Sequence, residues 1–476
     1  MTDSSAPTPP TGSTSPHTPA GPPGGTATRA ERSSVLRRAI GASAMGNATE
    51  WFDYGVYAYA AVYIQQVFFP SDNESTSALY TLLVFAVSFL VRPLGGLVLG
   101  PLGDRLGRSR VLAATIVMMA AATFFVGVLP GYETAGIWAP IALVVLRMVQ
   151  GFSTGGEYGG AATFMAEYSP DRKRGFFGSF LEFGTLAGFT LGALVVLGTE
   201  LAVGKEAMGE WGWRIPFLLG GPLGLVGLYL RTKIEDTPVF TELAESGEVE
   251  EQATTTLKDL VRDYKRPLLA LGGLVVALNV TNYTLLAYMP TYLEQKIDMS
   301  STASLTLIII GQLVMMLVIP FSGRLSDRLG RKPMWWVSLG GLFVMAVPMY
   351  LLMAQGFVAA LVGFAVLGLL YVLQLSTISA TFPAMFPTHV RFAGFAIAYN
   401  ISTALFGGTA PAANEKLIAM TGSELVPAYY MMAACVVGAV ALLFVPETAR
   451  ASIRGTGVPG VDTEVKPLQP APAARA

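Results

Sequence analysis

One face of an apolar stretch near the N-terminus combines two acids with two phenols. At roughly 100° per residue on a helix, five side chains fall within about 120° of one another: Asn47, Glu50, Asp53, Tyr54 and Tyr57. A carboxylate in apolar surroundings needs a cation or a proton. This face therefore predicts ion pairing or proton transfer by Glu50 and Asp53. The alternative is that both acids only cap the helix, but Asp53 lies about four turns inside the expected helix.

An arginine interrupts a second apolar run. Arg92 directly precedes Pro93 and is the only charged residue of its run. Its guanidinium requires an anion, which Glu50, Asp53 or the carboxylate of a bound molecule would supply, because arginine holds carboxylates through paired hydrogen bonds. The alternative is a side chain that extends out of the apolar layer to its polar edge.

Four polar side chains share the face of a further helix. Arg147, Gln150, Thr154 and Glu157 are spaced i, i+3, i+7 and i+10, which places them in one stripe. Glycines flank Glu157 and allow another backbone to approach. The stripe predicts a functional acid at Glu157, or a structural ion pair between Arg147 and an acid of another helix. Glu182, in the next apolar run, is a similar acid.

The composition indicates that the elements carrying these charges lie in a membrane. Of 476 residues, 52% are hydrophobic and 13% are charged, whereas soluble domains carry about 25% charged residues. This excludes a disordered or nucleic-acid-binding chain and disfavours a cytosolic enzyme, and the net charge of −1 offers no attraction to an acidic partner. The single cysteine, Cys435, excludes a disulfide framework or a cysteine-based metal site.

Apolar runs long enough to cross a bilayer, about 20 residues each, occur in two sets of six. The first set is expected near 39–66, 78–101, 111–129, 138–168, 176–199 and 214–232. The second set is expected near 267–293, 302–322, 334–353, 357–386, 391–413 and 425–446. Lysines and arginines concentrate in every second connection, and the positive-inside rule places these connections and both termini in the cytoplasm.

These spans predict an all-α polytopic membrane protein with 12 transmembrane helices in two six-helix pseudo-symmetric bundles. The bundles are expected at 36–232 and 267–448, with a polar cytoplasmic loop at 233–266 between them. The Pro-rich segments 1–35 and 449–476 are predicted to be disordered cytoplasmic tails. The spans of the second set hold no acid comparable to Glu50 or Asp53, so proton chemistry is expected in the first half.

The sequence DRLGR occurs at residues 104–108 and again at 327–331, 223 positions later (327 minus 104). Each copy follows the second span of its set, which predicts two parallel repeats enclosing a substrate site near the membrane midplane. Asp104 and Asp327 are expected to face an arginine or a helix N-terminus, in a contact that breaks as the halves rock. A purely topogenic role is the alternative for the arginines. The expected gating residues are Gly100, Asp104, Arg105, Gly107, Arg108, Asp327, Arg328, Gly330 and Arg331.

These repeated loops resemble the signature loop of the major facilitator superfamily. Further motifs resemble its metabolite:proton symporter family, namely GNATEWFDYGVY (46–57), RPLGG (92–96), QGFSTGGEY (150–158), YSPDRKRG (168–175) and WGWRIP (211–216). PAMFPTH (383–389) looks closest to the symporters for proline and glycine betaine. The resemblance covers roughly residues 37–450 and implies uptake of a small zwitterion together with protons, by alternating access.

A zwitterion needs one partner for its carboxylate and another for its cationic nitrogen. Arginine suits the carboxylate, and aromatic faces suit a quaternary ammonium at about 0.5–2 kcal/mol each. An acid close by would alternate between protonated and ionised forms. The expected proton-coupling residues are Asp53, Glu50, Glu157 and Glu182. The expected substrate contacts are Arg92, Trp51, Tyr54, Tyr57, Arg147, Gln150, Tyr283 and Tyr288.

Other functions stay open. The same machinery could carry an anionic metabolite such as a dicarboxylate, 2-oxoglutarate or shikimate, because Arg92 and Arg147 would suit a dianion. A drug:proton exporter is disfavoured, because exporters of the superfamily resemble a Gly-Pro pattern in span five, where this chain has Gly184, Gly188 and Gly192 and no proline. No nucleophile or metal cluster indicates an enzyme. The expected partners are the lipid bilayer of the cell membrane, the substrate and the proton, without a cofactor, a metal or a nucleic acid.

Overall fold

The computed structural model describes residues 29–106, 108–155, 157–235, 257–387 and 390–453. Regular structure in these ranges is helical, without a β-strand. A backbone in hydrocarbon must satisfy its hydrogen bonds within its own segment, which a helix does. Seven of the described helices are long and apolar enough to cross a membrane by length and composition, and Ala113–Val128 and Arg214–Tyr229 are shorter apolar helices.

The helices of the first half form six units in chain order. They are Arg29–Tyr59 with Ala61–Phe68 (α1), Glu74–Leu106 (α2), Arg108–Val128 (α3), Trp138–Thr154 with Glu157–Tyr168 (α4), Arg174–Val203 (α5) and Arg214–Glu235 (α6). Short helices at Tyr132–Ala135 and Lys205–Ala207 lie in the connections.

Six further units follow in the second half. They are Lys265–Asn282 with the π-helical stretch Tyr283–Tyr288 and Met289–Gln295 (α7), Ser301–Leu329 (α8), Arg331–Met353 (α9), Phe357–Leu375 with Ile378–Thr381 (α10), Arg391–Phe406 with Ala410–Thr421 (α11) and Val426–Leu443 (α12). The short helix Leu257–Asp263 precedes them. π-Helical turns are frequent at functional sites, and this one lies in α7.

Several helices extend past the predicted spans. The described helix α1 already includes Arg29, within the predicted tail, while α2 reaches Leu106, α8 reaches Leu329 and α11 reaches Thr421. Hydropathy falls where charged residues begin, but helical hydrogen bonding continues through them. Residues 1–28, 236–256 and 454–476, which include most of both predicted tails and of the central loop, lie outside the described residues.

Polar and apolar side chains are distributed as expected for a chain surrounded by lipid. Leu317, Phe321 and Val358 are 66–73% exposed, whereas Arg92 and Arg147 are at most 1% exposed. Apolar side chains on the outside are solvated by lipid, and charges are tolerated where the protein encloses them.

Glycines set the close approach of α1 and α5. A Cβ at Gly184 would overlap the carbonyl oxygen of Ala44, one at Gly188 would overlap that of Ala48, and one at Gly192 would lie 3.0 Å from the backbone nitrogen of Val56. The glycines of α5 therefore serve close helix packing. This packing seats one side of α1 on α5, while Glu50 and Asp53 on the other side of α1 contact α2, α3 and α4.

The two halves meet along several helix pairs in the described chain. α5 packs on α8, α2 on α11, α4 on α10 and α11, and α1 on α7. Helices α1, α2 and α4, which carry the polar residues, therefore line the boundary between the halves, where the repeat predicts a substrate site.

Candidate functional site

Arg92 of α2 forms a buried ion pair with Glu50 of α1. Its Nη2 contacts Glu50 Oε1, and its Nε donates to the Tyr54 hydroxyl at 3.3 Å. Arg92 is 1% exposed and Glu50 is 3% exposed. Arg92 therefore does not extend to the lipid interface. It pairs with Glu50, one of the anions predicted for it.

A second acid–arginine pair lies one helical turn further along α1. Asp53 Oδ1 accepts hydrogen bonds from the Thr123 hydroxyl and, at 2.9 Å, from Gln150 Nε2. Arg147 Nη1 lies 3.8 Å from Asp53 Oδ2 and donates to Gln150 Oε1 at 2.9 Å. In the described chain, Asp53 Oδ2 and Arg147 Nη2 have no hydrogen-bond partner. The pair therefore retains capacity for a proton and for an anion.

Aromatic rings surround both guanidinium groups. The Tyr54 ring lies 5.0 Å from Arg92 Cζ and 5.3 Å from Arg147 Cζ, so it contacts both cations. Trp51 lies 5.9 Å from Arg92 Cζ, and Tyr57 lies 4.3 Å from Arg147 Cζ. The aromatic faces of α1 are therefore already engaged by arginines through cation–π contacts.

The second half contributes Tyr283 to this cluster. Its ring lies 6.1 Å from Trp51 and 5.0 Å from Phe89, across the boundary between the halves. Tyr288 lies elsewhere: its hydroxyl donates to Glu415 Oε2 at 2.8 Å, and its ring is 6.3 Å from Tyr292. Of the two tyrosines predicted in α7, the structure brings Tyr283 to the arginines.

Glu415 corrects the expectation that the second half holds no comparable buried acid. It is 1% exposed within α11 and pairs with Lys296 Nζ at 2.9 Å. The predicted span ended at residue 413 because Asn414, Glu415 and Lys416 lower the local hydropathy. The ion pair compensates the charge of Glu415, so the helix continues through it.

Glu182 of α5 connects to the α1 cluster through hydrogen bonds. Its Oε1 accepts from the Tyr158 hydroxyl at 2.5 Å and its Oε2 from the Thr185 hydroxyl at 3.1 Å. Asn47 donates to Thr185 Oγ1 at 2.7 Å and accepts from Trp51 Nε1 at 3.0 Å. Glu182 therefore lies one short hydrogen-bond chain away from the ring beside Arg92. Tyr158 was not among the predicted contacts.

Several other predicted residues of the first half fall outside the described residues. The Glu157 side chain, residue Gly107, and the side chains of Gly100, Asp104, Arg105 and Arg108 lie outside the part of the chain that is described. The Thr154 hydroxyl lies 3.3 Å from that of Tyr54, so this part of the α4 stripe faces α1.

Asp327 joins the halves at one end of the bundle. This end holds the α2–α3, α4–α5, α8–α9 and α10–α11 connections, and we call it the arginine-rich end. Its Oδ1 accepts the N–H of Gly175 at 2.8 Å, and its Oδ2 accepts that of Phe176 at 2.9 Å. These are free N–H groups at the start of α5. Arg331 Nη2 adds an ion pair at 2.6 Å. Asp327 thus faces both an arginine and a helix N-terminus, the two partners considered for it.

The turn between α8 and α9 is fixed by Gly330 and Glu447. Gly330 has φ of 110°, a conformation that favours glycine. Glu447 then accepts the N–H groups of Arg331 and Lys332 at 2.9 and 3.0 Å, and Arg450 donates to the carbonyl of Arg328 at 2.5 Å. The segment after α12 therefore holds this turn in place.

A PxxxR motif occurs at Pro170–Arg174 and again at Pro387–Arg391, and its arginines, Arg174 and Arg391, are both 1% exposed at the starts of α5 and α11. Arg174 donates to the carbonyl of Ala451 at 3.2 Å. Arg391 pairs with Glu167 Oε1 at 2.8 Å, which connects α11 to α4. The repeated motif therefore marks buried junctions.

Glu200 joins the halves at the opposite end of the bundle. It lies near the end of α5, is 6% exposed, and accepts hydroxyl hydrogen bonds from Tyr63 at 2.8 Å, Ser301 at 2.7 Å and Thr302 at 2.8 Å. Ser301 and Thr302 begin α8. Sequence reasoning missed Glu200 because the predicted span ended at residue 199. The available sequence signal was that apolar residues continue after Glu200 before the next charged residue.

Comparison with known proteins identifies the family. The family model of the Major Facilitator Superfamily matches residues 44–411. The chain is 44% identical over 427 residues to the proline/betaine transporter of Escherichia coli, covering 88% of this chain and 85% of that protein. It is 42% identical over 446 residues to the ectoine/proline transporter ProP of Corynebacterium glutamicum, covering 91% of this chain and 88% of that protein.

A solved structure shares the fold. The proton:xylose symporter XylE bound to 6-bromo-6-deoxy-D-glucose superposes with a TM-score of 0.69, covering 89% of this chain and 98% of that chain at 16% identity. The predicted all-α membrane fold and the resemblance stated from the motifs are thereby confirmed, and the described helices are consistent with twelve spans. The relatives are named as transporters of a superfamily whose members are not enzymes. The apolar helices of such a transporter make the chain a multi-pass membrane protein. The chain belongs to the Major Facilitator Superfamily.

Proposed function

We propose that the protein takes up small zwitterionic osmolytes such as proline and glycine betaine together with protons, by alternating access. The names of the relatives from Escherichia coli and Corynebacterium glutamicum support this substrate class. The positive-inside bias supports a location in the cell membrane with both termini and the arginine-rich end in the cytoplasm.

The observation that carries the proposal is the buried Glu50–Arg92 pair beside the boundary of the halves. A substrate carboxylate that binds Arg92 must displace the carboxylate of Glu50. Protonation of Glu50 removes that competition and leaves Arg92 with one anion, the substrate. Proton and substrate therefore favour each other's binding, which is the thermodynamic requirement for symport. Asp53 lies one turn closer to the outer end of α1 and is the proposed site that the entering proton occupies before Glu50.

The balance of charge favours a zwitterion over a dianion. Two arginines, Arg92 and Arg147, share the described centre with three acids, Glu50, Asp53 and Glu182, and all five are buried. A dianion would add two negative charges to a centre that already has more acids than arginines. A zwitterion adds none, so its transfer into the enclosed site costs less.

Two contacts between α5 and α8 supply the proposed gates. These helices run in opposite directions, and each ends in an acid that binds the start of the other: Asp327 binds the start of α5, and Glu200 binds the start of α8. Breaking the Asp327 contact would open the cytoplasmic side, and breaking the Glu200 contact would open the outer side. Both are polar contacts that re-form without new covalent chemistry, as a rocking motion requires.

A competition assay tests the substrate class. Purified protein in proteoliposomes with an inside-alkaline pH gradient should accumulate labelled proline, and excess unlabelled glycine betaine should reduce the initial rate at least tenfold. Succinate at the same concentration should leave the rate within about 20%. A labelled dicarboxylate that accumulates, while proline and betaine neither accumulate nor compete, would contradict the proposal and favour anionic-metabolite symport.

A further inference from the structure

The proposed function leaves the cationic nitrogen of the substrate without a partner. The aromatic rings of α1 that would suit it, Trp51, Tyr54 and Tyr57, lie within 6 Å of arginine guanidinium groups. An ammonium placed on these faces would meet a like charge. The partner of the substrate ammonium must therefore be a carboxylate that has no cationic side chain beside it and has aromatic faces near it.

Glu182 meets the first requirement. It is 2% exposed, and its partners in the described chain are the hydroxyls of Tyr158 and Thr185, without a lysine or arginine. Glu50, Asp53 and Glu415, by contrast, each have a basic partner within 4 Å. A buried carboxylate without a cation is costly, and a cation that arrives with the substrate would relieve that cost.

Tyrosines beside Glu182 meet the second requirement. Tyr158 of α4 and Tyr399 of α11 stack across the boundary of the halves, with ring centroids 4.6 Å apart and an interplanar angle of 17°. Phe395 of α11 lies 5.4 Å from Tyr399. The ring that contacts Glu182 therefore belongs to an aromatic group contributed by both halves.

The aromatic group of Tyr158, Tyr399 and Phe395 also interacts with the arginine proposed for the carboxylate. Tyr399 interacts electrostatically with Glu182 and with Arg92 and Glu50. The hydrogen-bond chain from Trp51 through Asn47 and Thr185 also ends at Glu182. Glu182 and Arg92 therefore belong to one connected cluster at the boundary of the halves.

We propose that Glu182, Tyr158 and Tyr399 form the subsite for the cationic nitrogen of the substrate, a quaternary or secondary ammonium. As the halves separate, the tyrosine stack parts and exposes a face on each half. The ammonium enters between these faces with Glu182 at their edge, while the carboxylate binds Arg92. The subsite rests on the proposed transport of a zwitterion, and it assigns Glu182 to substrate recognition in place of proton coupling.

The test compares two ligands of one shape and different charge. Glycine betaine carries a trimethylammonium group, and 3,3-dimethylbutanoate replaces that nitrogen by carbon and keeps the carboxylate. Binding of each is measured calorimetrically, at one pH and without a gradient, to the purified full-length protein in nanodiscs. The wild type should bind betaine at least tenfold more tightly than the isostere.

Glu182→Gln and Tyr399→Leu should weaken betaine binding at least tenfold and leave the isostere within about twofold, so that the preference disappears. Tyr399→Phe, which keeps the aromatic face, should retain most of it. Tyr350→Leu is the matched control, because Tyr350 is a buried tyrosine that packs on Tyr292 at 5.3 Å. Thermal unfolding of each variant establishes that it is folded.

The possible outcomes distinguish a failure of the proposed subsite from a failure of the proposed function. A wild type that prefers betaine, with Glu182→Gln unchanged in that preference, would overturn the subsite and leave zwitterion transport intact. An equal loss of both ligands in Glu182→Gln would also overturn it, because the effect would not depend on the nitrogen's charge. A wild type that binds neither ligand would overturn the proposed function together with the subsite.

Discussion

Replacement of Glu50 by glutamine is expected to abolish proton-driven accumulation while substrate exchange continues. The glutamine keeps the shape of the acid but holds no titratable proton, and Arg92 is left free for the substrate carboxylate at every pH. With one proton per substrate, a gradient of about two pH units supports about 100-fold accumulation. The variant should reach a ratio near one, whereas counterflow of labelled proline at equal pH should stay within about threefold of the wild-type rate.

Glu415→Gln is the matched control for this experiment. Glu415 is also a buried acid in an ion pair, with Lys296 in the second half. We expect this variant to accumulate proline to within about twofold of the wild type. Full gradient-driven accumulation by Glu50→Gln would contradict the competition between Glu50 and the substrate for Arg92.

Gly175→Val is expected to stop transport without removing the substrate site. A Cβ at Gly175 would lie 2.5 Å from the carbonyl oxygen of Gly323 and would overlap Arg331, so the start of α5 could no longer meet Asp327. The arginine-rich end would stay open. We expect the uptake rate to fall at least 30-fold, while betaine affinity changes by less than about threefold.

Cysteine labelling measures this opening directly. Ser379 is 1% exposed and lies 3.2 Å from the Cβ position of Gly178, one turn into α5. In a Cys435→Ser background, the rate at which a polar maleimide labels Ser379→Cys should rise at least tenfold with Gly175→Val. Gly340→Val is the control, because nothing lies within 4 Å of its Cβ position. Unchanged labelling together with normal uptake in Gly175→Val would remove this contact from the gate.

Helical periodicity was sufficient to predict the α1 face, because residues of one helix keep their relative positions whatever surrounds them. The same holds for Arg147, Gln150 and Thr154 of α4. The acid–arginine pairing also followed from the sequence, since a buried guanidinium must find an anion and few acids occur in the apolar runs of the first half.

Contacts that depend on how the halves dock could not be predicted in this way. The stack of Tyr158 on Tyr399 joins residues 241 positions apart (399 minus 158), and neither ring differs in sequence from tyrosines that merely pack. Glu200 and Glu415 were missed for a different reason. Each lies at the charged end of an apolar run, where hydropathy ends the span although the helix continues.

Proton movement driven by substrate alone tests the central claim most directly. Proteoliposomes with equal pH on both sides, clamped at zero membrane potential and loaded with a pH-sensitive dye, receive a pulse of external glycine betaine. The account predicts that the lumen acidifies as betaine enters, and that Glu50→Gln takes up betaine without this signal. Entry of betaine into wild-type vesicles with no change in lumenal pH would contradict it.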